Sequence, residues 1–201
     1  MRLSKFKYFY PEKPKLAIRG QLLFTKLSNN PLWIAEPKYN GSRLQLHILN
    51  GEAEFWGRHG DKLKYVPSKE LEEELKKIFP QYGYYLFDGE LRHNKTKNVR
   101  DRIILWDTVI HNGKLQNDRP YWARRSLLLD FPLGQSTKEP ISIITQYIKD
   151  FDKVFKQLIQ FEEFEGLVIK NTQGMLNLGV KSCPESRWMF KVRKQTGRHR
   201  W

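Results

Sequence analysis

Cysteine is almost absent from this chain. A single thiol, Cys183, among 201 residues rules out an intrachain disulfide and suits a reducing compartment. It sits in the polar run Lys181-Ser182-Cys183-Pro184-Glu185 without a neighbouring His or Asp, so it reads as an incidental thiol rather than a nucleophile. No apolar run approaches the ~18 residues that span a bilayer, and no basic amphipathic helix stands out, which argues against a membrane partner. The basic start, Met1 to Lys7, lacks the apolar stretch of a secretion signal, and the expectation is an intracellular protein, nucleoid-associated or viral in an infected cell. Internal repeats, low-complexity stretches and Gly/Ser linkers are missing too. The chain therefore reads as one domain over 1–201, with a basic arm at 1–30 and a short basic tail at 195–201. Acidic residues are the last shortage: 22 against 36 Lys and Arg leave a formal charge of +14. That excess favours a polyanionic partner, because each cation that neutralises a phosphate releases counterions.

What is present is local periodicity. Apolar residues make up 39% of the chain and aromatics 13%, enough for a packed core. Leu32 to Lys38 reads as a strand. Ser42 to Leu49 alternates, with Leu44, Leu46 and Ile48 on one face and Arg43, Gln45 and His47 on the other. Asn50-Gly51 then predicts a tight hairpin and Glu52 to Trp56 its returning strand, and Asn112-Gly113 marks a second turn. Ser68 is placed to cap a helix through Phe79, with acidic residues early and lysines late. Tyr84–Leu91, Arg102–Val109, Gly166–Lys170 and Trp188–Arg193 read as strands, and Tyr121–Leu129 and Asp152–Phe164 as helices. The first thirty residues suggest little regular structure. Several antiparallel hairpins with interspersed helices give an α+β class. No glycine-rich phosphate loop supports a doubly wound parallel sheet.

Chemistry concentrates in five blocks: Lys38-Tyr39-Asn40-Gly41-Ser42-Arg43, Phe87-Asp88-Gly89-Glu90-Leu91, Ile104-Leu105-Trp106-Asp107, Glu165-Gly166-Leu167-Val168-Ile169-Lys170 and Trp188-Met189-Phe190-Lys191-Val192-Arg193-Lys194. A lysine at the end of a strand before a turn can be held at a cleft edge, and nearby positive charge or desolvation frees its lone pair for attack. Taken singly, Lys38 also suits a solvated strand end and Trp106 a core position. Glu90 and Glu165 also suit turns, and Lys191, Arg193 and Lys194 a solvated edge strand.

In their order and spacing the blocks resemble the covalent nucleotidyltransferase superfamily of ATP-dependent polynucleotide ligases and messenger-RNA capping enzymes. Gly57-Arg58-His59-Gly60 and Arg119-Pro120-Tyr121-Trp122-Ala123-Arg124-Arg125 bring the likeness closer to DNA ligases. The resemblance implies a ligase-type nucleotidyltransferase domain, ATP-grasp-like, with antiparallel sheets flanked by helices and no OB-fold. It implies ATP and Mg²⁺ as cofactors, AMP carried covalently on Lys38, and nicked duplex DNA, RNA or hybrid as the partner of a monomer. By match to the motifs, Lys38 is the nucleophile, and Lys191 and Arg193 contact the α-phosphate. Arg43 and Glu90 hold the ribose or a nearby phosphate, Trp106 stacks on adenine, Glu36 meets the adenine edge, and Glu165 ligands Mg²⁺. Arg58 is the candidate for the 5′-phosphate of the strand. Alternatives are an RNA ligase using the same lysine, or a binding relative without turnover.

Two departures stand against that pattern. Asn40 replaces the usual Asp, removing a negative charge beside the lysine. Ligases also continue into an oligonucleotide-binding barrel, whereas this sequence runs only seven residues past Lys194, leaving a fragment and a minimal enzyme as alternatives. Lys5 and Lys7 in the aromatic-rich arm, with Arg198 and Arg200 in the tail, are expected to grip duplex phosphates.

Overall fold

The computed structural model describes residues 8–17, 20–179 and 181–195. In chain order the strands are β1 (Tyr10–Pro11), β2 (Lys13–Leu16), β3 (Trp33–Tyr39), β4 (Ser42–Leu49), β5 (Glu52–Trp56), β6 (Tyr84–Arg92), β7 (Arg102–His111), β8 (Lys114–Leu115), β9 (Ile141–Ile143), β10 (Phe164–Asn171), β11 (Leu178–Gly179) and β12 (Glu185–Arg193). The helices are α1 (Gly20–Leu27), α2 (Lys69–Ile78), α3 (Tyr121–Ser126) and α4 (Phe151–Leu158). The class is α+β, as the sequence implied, and the described residues contain no closed barrel.

Two sheets carry the molecule. The larger has the order β5-β4-β6-β7-β8, with β9 parallel to β7. The smaller has the order β2-β12-β10-β3, antiparallel except where β2 runs parallel to β12. The β4–β5 hairpin forms at Asn50-Gly51, with φ of 50° and 81°, the twist that matches flanking strands. Ser68 caps α2 by accepting the Leu71 N–H at 3.3 Å. The apolar stripe of α2 (Leu71, Leu75, Ile78) packs on Leu44, Leu46, Phe87 and Leu105 of the larger sheet. A second core sets Phe24 of α1 and Phe151 and Val154 of α4 against Ala35, Leu167 and Val192 of the smaller sheet. Each such side chain, fully buried, contributes about 1.5–3 kcal/mol. A third cluster, Tyr39, Ile104, Ile144 and Phe164, joins strands of both sheets.

Two expectations from the sequence are corrected. The first thirty residues hold β1, β2 and α1, because β2 pairs beside β12 and α1 covers the smaller sheet. The helix expected over 152–164 ends at Leu158, since Phe164 is taken into pairing with Tyr39 across β3 and β10. Both faces of β4 are buried, and on the polar one Gln45 and His47 are 1% and 0% exposed. The N-terminal segment covers that face, with Gln45 Nε2 donating to Phe9 O at 2.9 Å.

Candidate active site

The chain leaves the smaller sheet at the end of β3, turns at Asn40-Gly41 and enters the larger sheet as β4. Lys38 therefore stands where the two sheets part, beside a cleft of about 510 Å³. Gly41 is obligatory at this turn, because a Cβ there would lie 2.5 Å from Glu90 Cγ and 2.9 Å from Leu91 O.

One wall comes from β3, β10 and β12. Alternation puts Glu36 and Lys38 on one face of β3, and Lys191 and Arg193 on one face of β12. Glu165 would point away from Gly166, Val168 and Lys170 in a regular strand. A register shift between Phe164 and Gly166 re-aims it toward the cleft. Gly166 makes that shift possible with φ 145°, where a Cβ would meet Val192 O at 2.0 Å. The outcome is a shared carboxylate oxygen: Glu165 Oε2 lies 2.7 Å from Lys38 Nζ and 3.0 Å from Arg193 Nη2. Burial, followed by the charges of Arg193, Lys38 and Lys13, pushes the Lys191 ammonium pKa below its ordinary value.

The opposite wall is built by β4, β6 and β7. Arg43 faces Glu90 in register, and its guanidinium clamps Asp88 through Nε at 3.0 Å and Nη2 at 2.6 Å. The same Nη2 donates to Glu12 O at 2.9 Å. Trp106 Nε1 donates to Asp88 Oδ2 at 3.0 Å, so one buried carboxylate fixes both the arginine and the indole. Glu90 is left without an ion-pair partner among the described residues. Burial lifts its pKa to about 7, against the opposing pull of Lys38, Lys95 and Arg43.

Deeper in the cleft, Glu36 is 1% exposed and pairs with Lys170 at 2.6 Å. Its other oxygen accepts from Tyr121 Oη and, at 2.8 Å, from Gln146 Nε2. Lys170 Nζ lies 4.4 Å from the Tyr121 ring centre, and the buried ammonium is thus surrounded by a carboxylate and an aromatic face. Arg58 lies in the turn after β5, not on the strand itself, at the cleft rim. Its Nε donates to His59 Nε2 at 2.9 Å. Lys5, Lys7, Arg198 and Arg200 lie outside the described residues.

The structure thus gathers Glu36, Lys38, Arg43, Arg58, Glu90, Trp106, Glu165, Lys191 and Arg193 around one cleft. Sequence reasoning gave no role to Asp88, Lys170, Tyr121 or Gln146. The first three lay within the blocks it singled out, whereas Gln146 carried no motif signal. Among the described residues no three His, Cys, Asp or Glu side chains cluster as a metal cage. Glu165 as a single carboxylate fits Mg²⁺, which commonly takes one or two carboxylates and completes its shell with phosphate oxygens and water. No helix among the described residues is long and apolar enough to cross a membrane.

No protein-family model matches the chain. A DNA ligase of Methanothermobacter thermautotrophicus is 25% identical over 213 residues, covering 92% of this chain and 37% of the relative. A DNA ligase of Variola virus is 25% identical over 175 residues, covering 77% and 31%. The chain thus spans about a third of the length of these curated relatives. Among solved structures, a mycobacterial DNA ligase D complexed with ATP and MES superposes with a TM-score of 0.69 at 16% identity, over 94% of this chain and 61% of that one. A Lig E DNA ligase superposes with a TM-score of 0.56 at 14% identity, over 91% and 68%. The chain has the nucleotidyltransferase-domain fold of DNA ligases and is similar to them in sequence along most of its length.

Proposed function

We propose that the chain is the catalytic domain of an ATP-dependent DNA ligase that seals nicks in duplex DNA through AMP carried on Lys38. The observation that carries this reading is the set of groups around one amine at the cleft edge: Lys38 with Glu165 at 2.7 Å, Arg193 on the same carboxylate, and Lys191 beside them. In-line transfer at phosphorus needs a positioned nucleophile and positive charge around a crowded anion, and little else from the protein.

In the first step Lys38 Nζ attacks the α-phosphorus of ATP, an N–P bond forms, and the P–O bond to pyrophosphate breaks. The amine must shed its proton to attack, and Glu165 Oε2 is near enough to receive it. Lys191 and Arg193 face the α-phosphate oxygens. Trp106, its indole fixed by Asp88, stacks on adenine, while Glu36 closes the adenine end of the cleft. Arg43, held by Asp88, and Glu90 bracket the ribose. Glu165 is the residue that would hold Mg²⁺, which when bound neutralises phosphate charge. In the second step an oxygen of a strand's 5′-phosphate, met by Arg58, attacks the adenylyl phosphorus, and the N–P bond returns its electrons to Lys38. A neighbouring 3′-hydroxyl then attacks the activated 5′-phosphorus and AMP departs.

The test is incubation with Mg²⁺ and α-labelled ATP. The expected result is an acid-labile label on the protein that is absent from Lys38→Ala. A chase with nicked DNA, nicked RNA and hybrids should discharge the label onto DNA. Discharge onto RNA alone would overturn the choice of substrate.

A further inference from the structure

The turn after Lys38 is fastened from outside by the segment that follows β6. Asn40 Nδ2 donates to Lys95 O at 3.2 Å, Thr96 Oγ1 donates to Asn40 O at 3.1 Å, and Lys95 Nζ donates to Gly41 O at 2.5 Å. The root of the segment is fixed as well: Arg92 pairs with Glu163 at 2.5 Å and lies over the Tyr39 ring at 5.0 Å.

These contacts explain Asn40. An amide N–H meets the Lys95 carbonyl, whereas an aspartate would set a carboxylate against that oxygen, two acceptors with no proton between them. The asparagine that departs from the ligase motif is therefore matched to the segment carrying Lys95.

Lys95 itself lines the cleft, and its charge acts on Glu90. Four neighbouring cations are committed, Lys38 and Arg193 to Glu165, Arg43 to Asp88, and Lys170 to Glu36, whereas Lys191 across the cleft has no ion pair among the described residues. Lys95 has no carboxylate within ion-pair distance among the described residues. One ammonium proton goes to Gly41 O and two are left for a ligand. An uncompensated cation tethered by its own backbone to the nucleophile's turn is suited to an anion, not to solvent alone.

We propose that Lys95, held by Asn40, binds a phosphoryl oxygen of the group brought to Lys38. The assignment rests on the nucleotide-transfer reading given above. That oxygen belongs either to the pyrophosphate leaving ATP or to the 5′-phosphate of the strand, and the two arms of one experiment separate these sources.

Single-turnover rates are measured on the full chain, first for label acquired from ATP and then for label passed to nicked duplex. Lys95→Gln keeps an N–H for Gly41 O and removes the charge, while Lys95→Arg keeps both. Lys95→Gln should slow one arm roughly 10- to 100-fold, the usual weight of a charge-assisted hydrogen bond. Lys95→Arg should restore that arm. Asn40→Asp should slow the same arm and add little in combination with Lys95→Gln. Loss in the first arm assigns the pyrophosphate, and loss in the second assigns the 5′-phosphate. Equal losses for Gln and Arg would make Lys95 a fastening of the turn alone and overturn the assignment, as would wild-type rates for both. Absence of label on the unaltered chain would remove the transfer reading and this assignment with it.

Discussion

Glu90 shows how the cleft sets the chemistry of a single residue. Its pKa lies near 7 in the fold against an ordinary 4.5, so the folded chain holds a proton that the unfolded chain releases between those values. A raised carboxyl pKa means that stability falls as pH climbs from about 4.5 through about 7. Glu90→Gln removes the ionisation. Its melting temperature should match the unaltered protein below pH 4.5 and exceed it above pH 7. Calorimetry across that range checks the sign, and a constant offset would contradict it. The same change should lower ATP affinity, if Glu90 brackets the ribose. Sequence identified this carboxylate through its Asp-Gly-Glu block but could not show its proton, because burial raises the pKa against the pull of three cations, and both the burial and the cations come from the folded arrangement.

Among the elements, β10 carries the sharpest local requirement. The shift that turns Glu165 into the cleft needs a left-handed residue with no side chain, and Gly166 supplies it. Gly166→Ala would force a Cβ onto Val192 O, part the β10–β12 pairing and turn Glu165 away from Lys38. A loss of at least roughly 1–3 kcal/mol in urea unfolding is expected for strain of this kind, together with loss of AMP transfer. A second element-level test is α3, whose buried Arg124 forms a two-point pair with Asp107 of β7. Arg124→Met leaves that carboxylate unpaired in the core and should cost roughly 3–5 kcal/mol by the same measurement. Local patterns explain why so much at this scale was readable. The alternation of β4, the Asn-Gly turn and the Ser68 cap are all determined within a few residues of themselves. Elements decided by distant partners were not. The end of α4 depends on Tyr39, the covered face of β4 on Phe9, and the Asn40 contact on a carbonyl 55 positions away.

For the whole molecule, the site is a property of two sheets meeting. Neither wall alone holds Lys38, Trp106 and Glu165, and the chain's switch from β3 to β4 brings them together. The ordered blocks made the inventory of that site legible in the sequence, whereas the pairings inside it (Asp88 holding both Arg43 and Trp106, Glu36 holding Lys170) needed the structure. The charge of +14 belongs to this scale too. Binding to nicked duplex should weaken roughly a hundredfold between about 50 and about 200 mM salt if about four phosphates are contacted. Fluorescence anisotropy over that range checks it, and salt-independent binding would contradict a phosphate-gripping surface.

The central claim is that Lys38 accepts the nucleotide, and locating the adduct tests it most directly. The protein is incubated with ATP and Mg²⁺, cleaved under conditions that preserve phosphoramidates, and its peptides are weighed and sequenced by mass spectrometry. The account predicts AMP on Lys38, in the peptide through Asn40-Gly41, and none on Lys38→Ala. An adduct on Lys95, Lys170 or Lys191 with Lys38 unmodified, or no adduct on the unaltered chain, would contradict it.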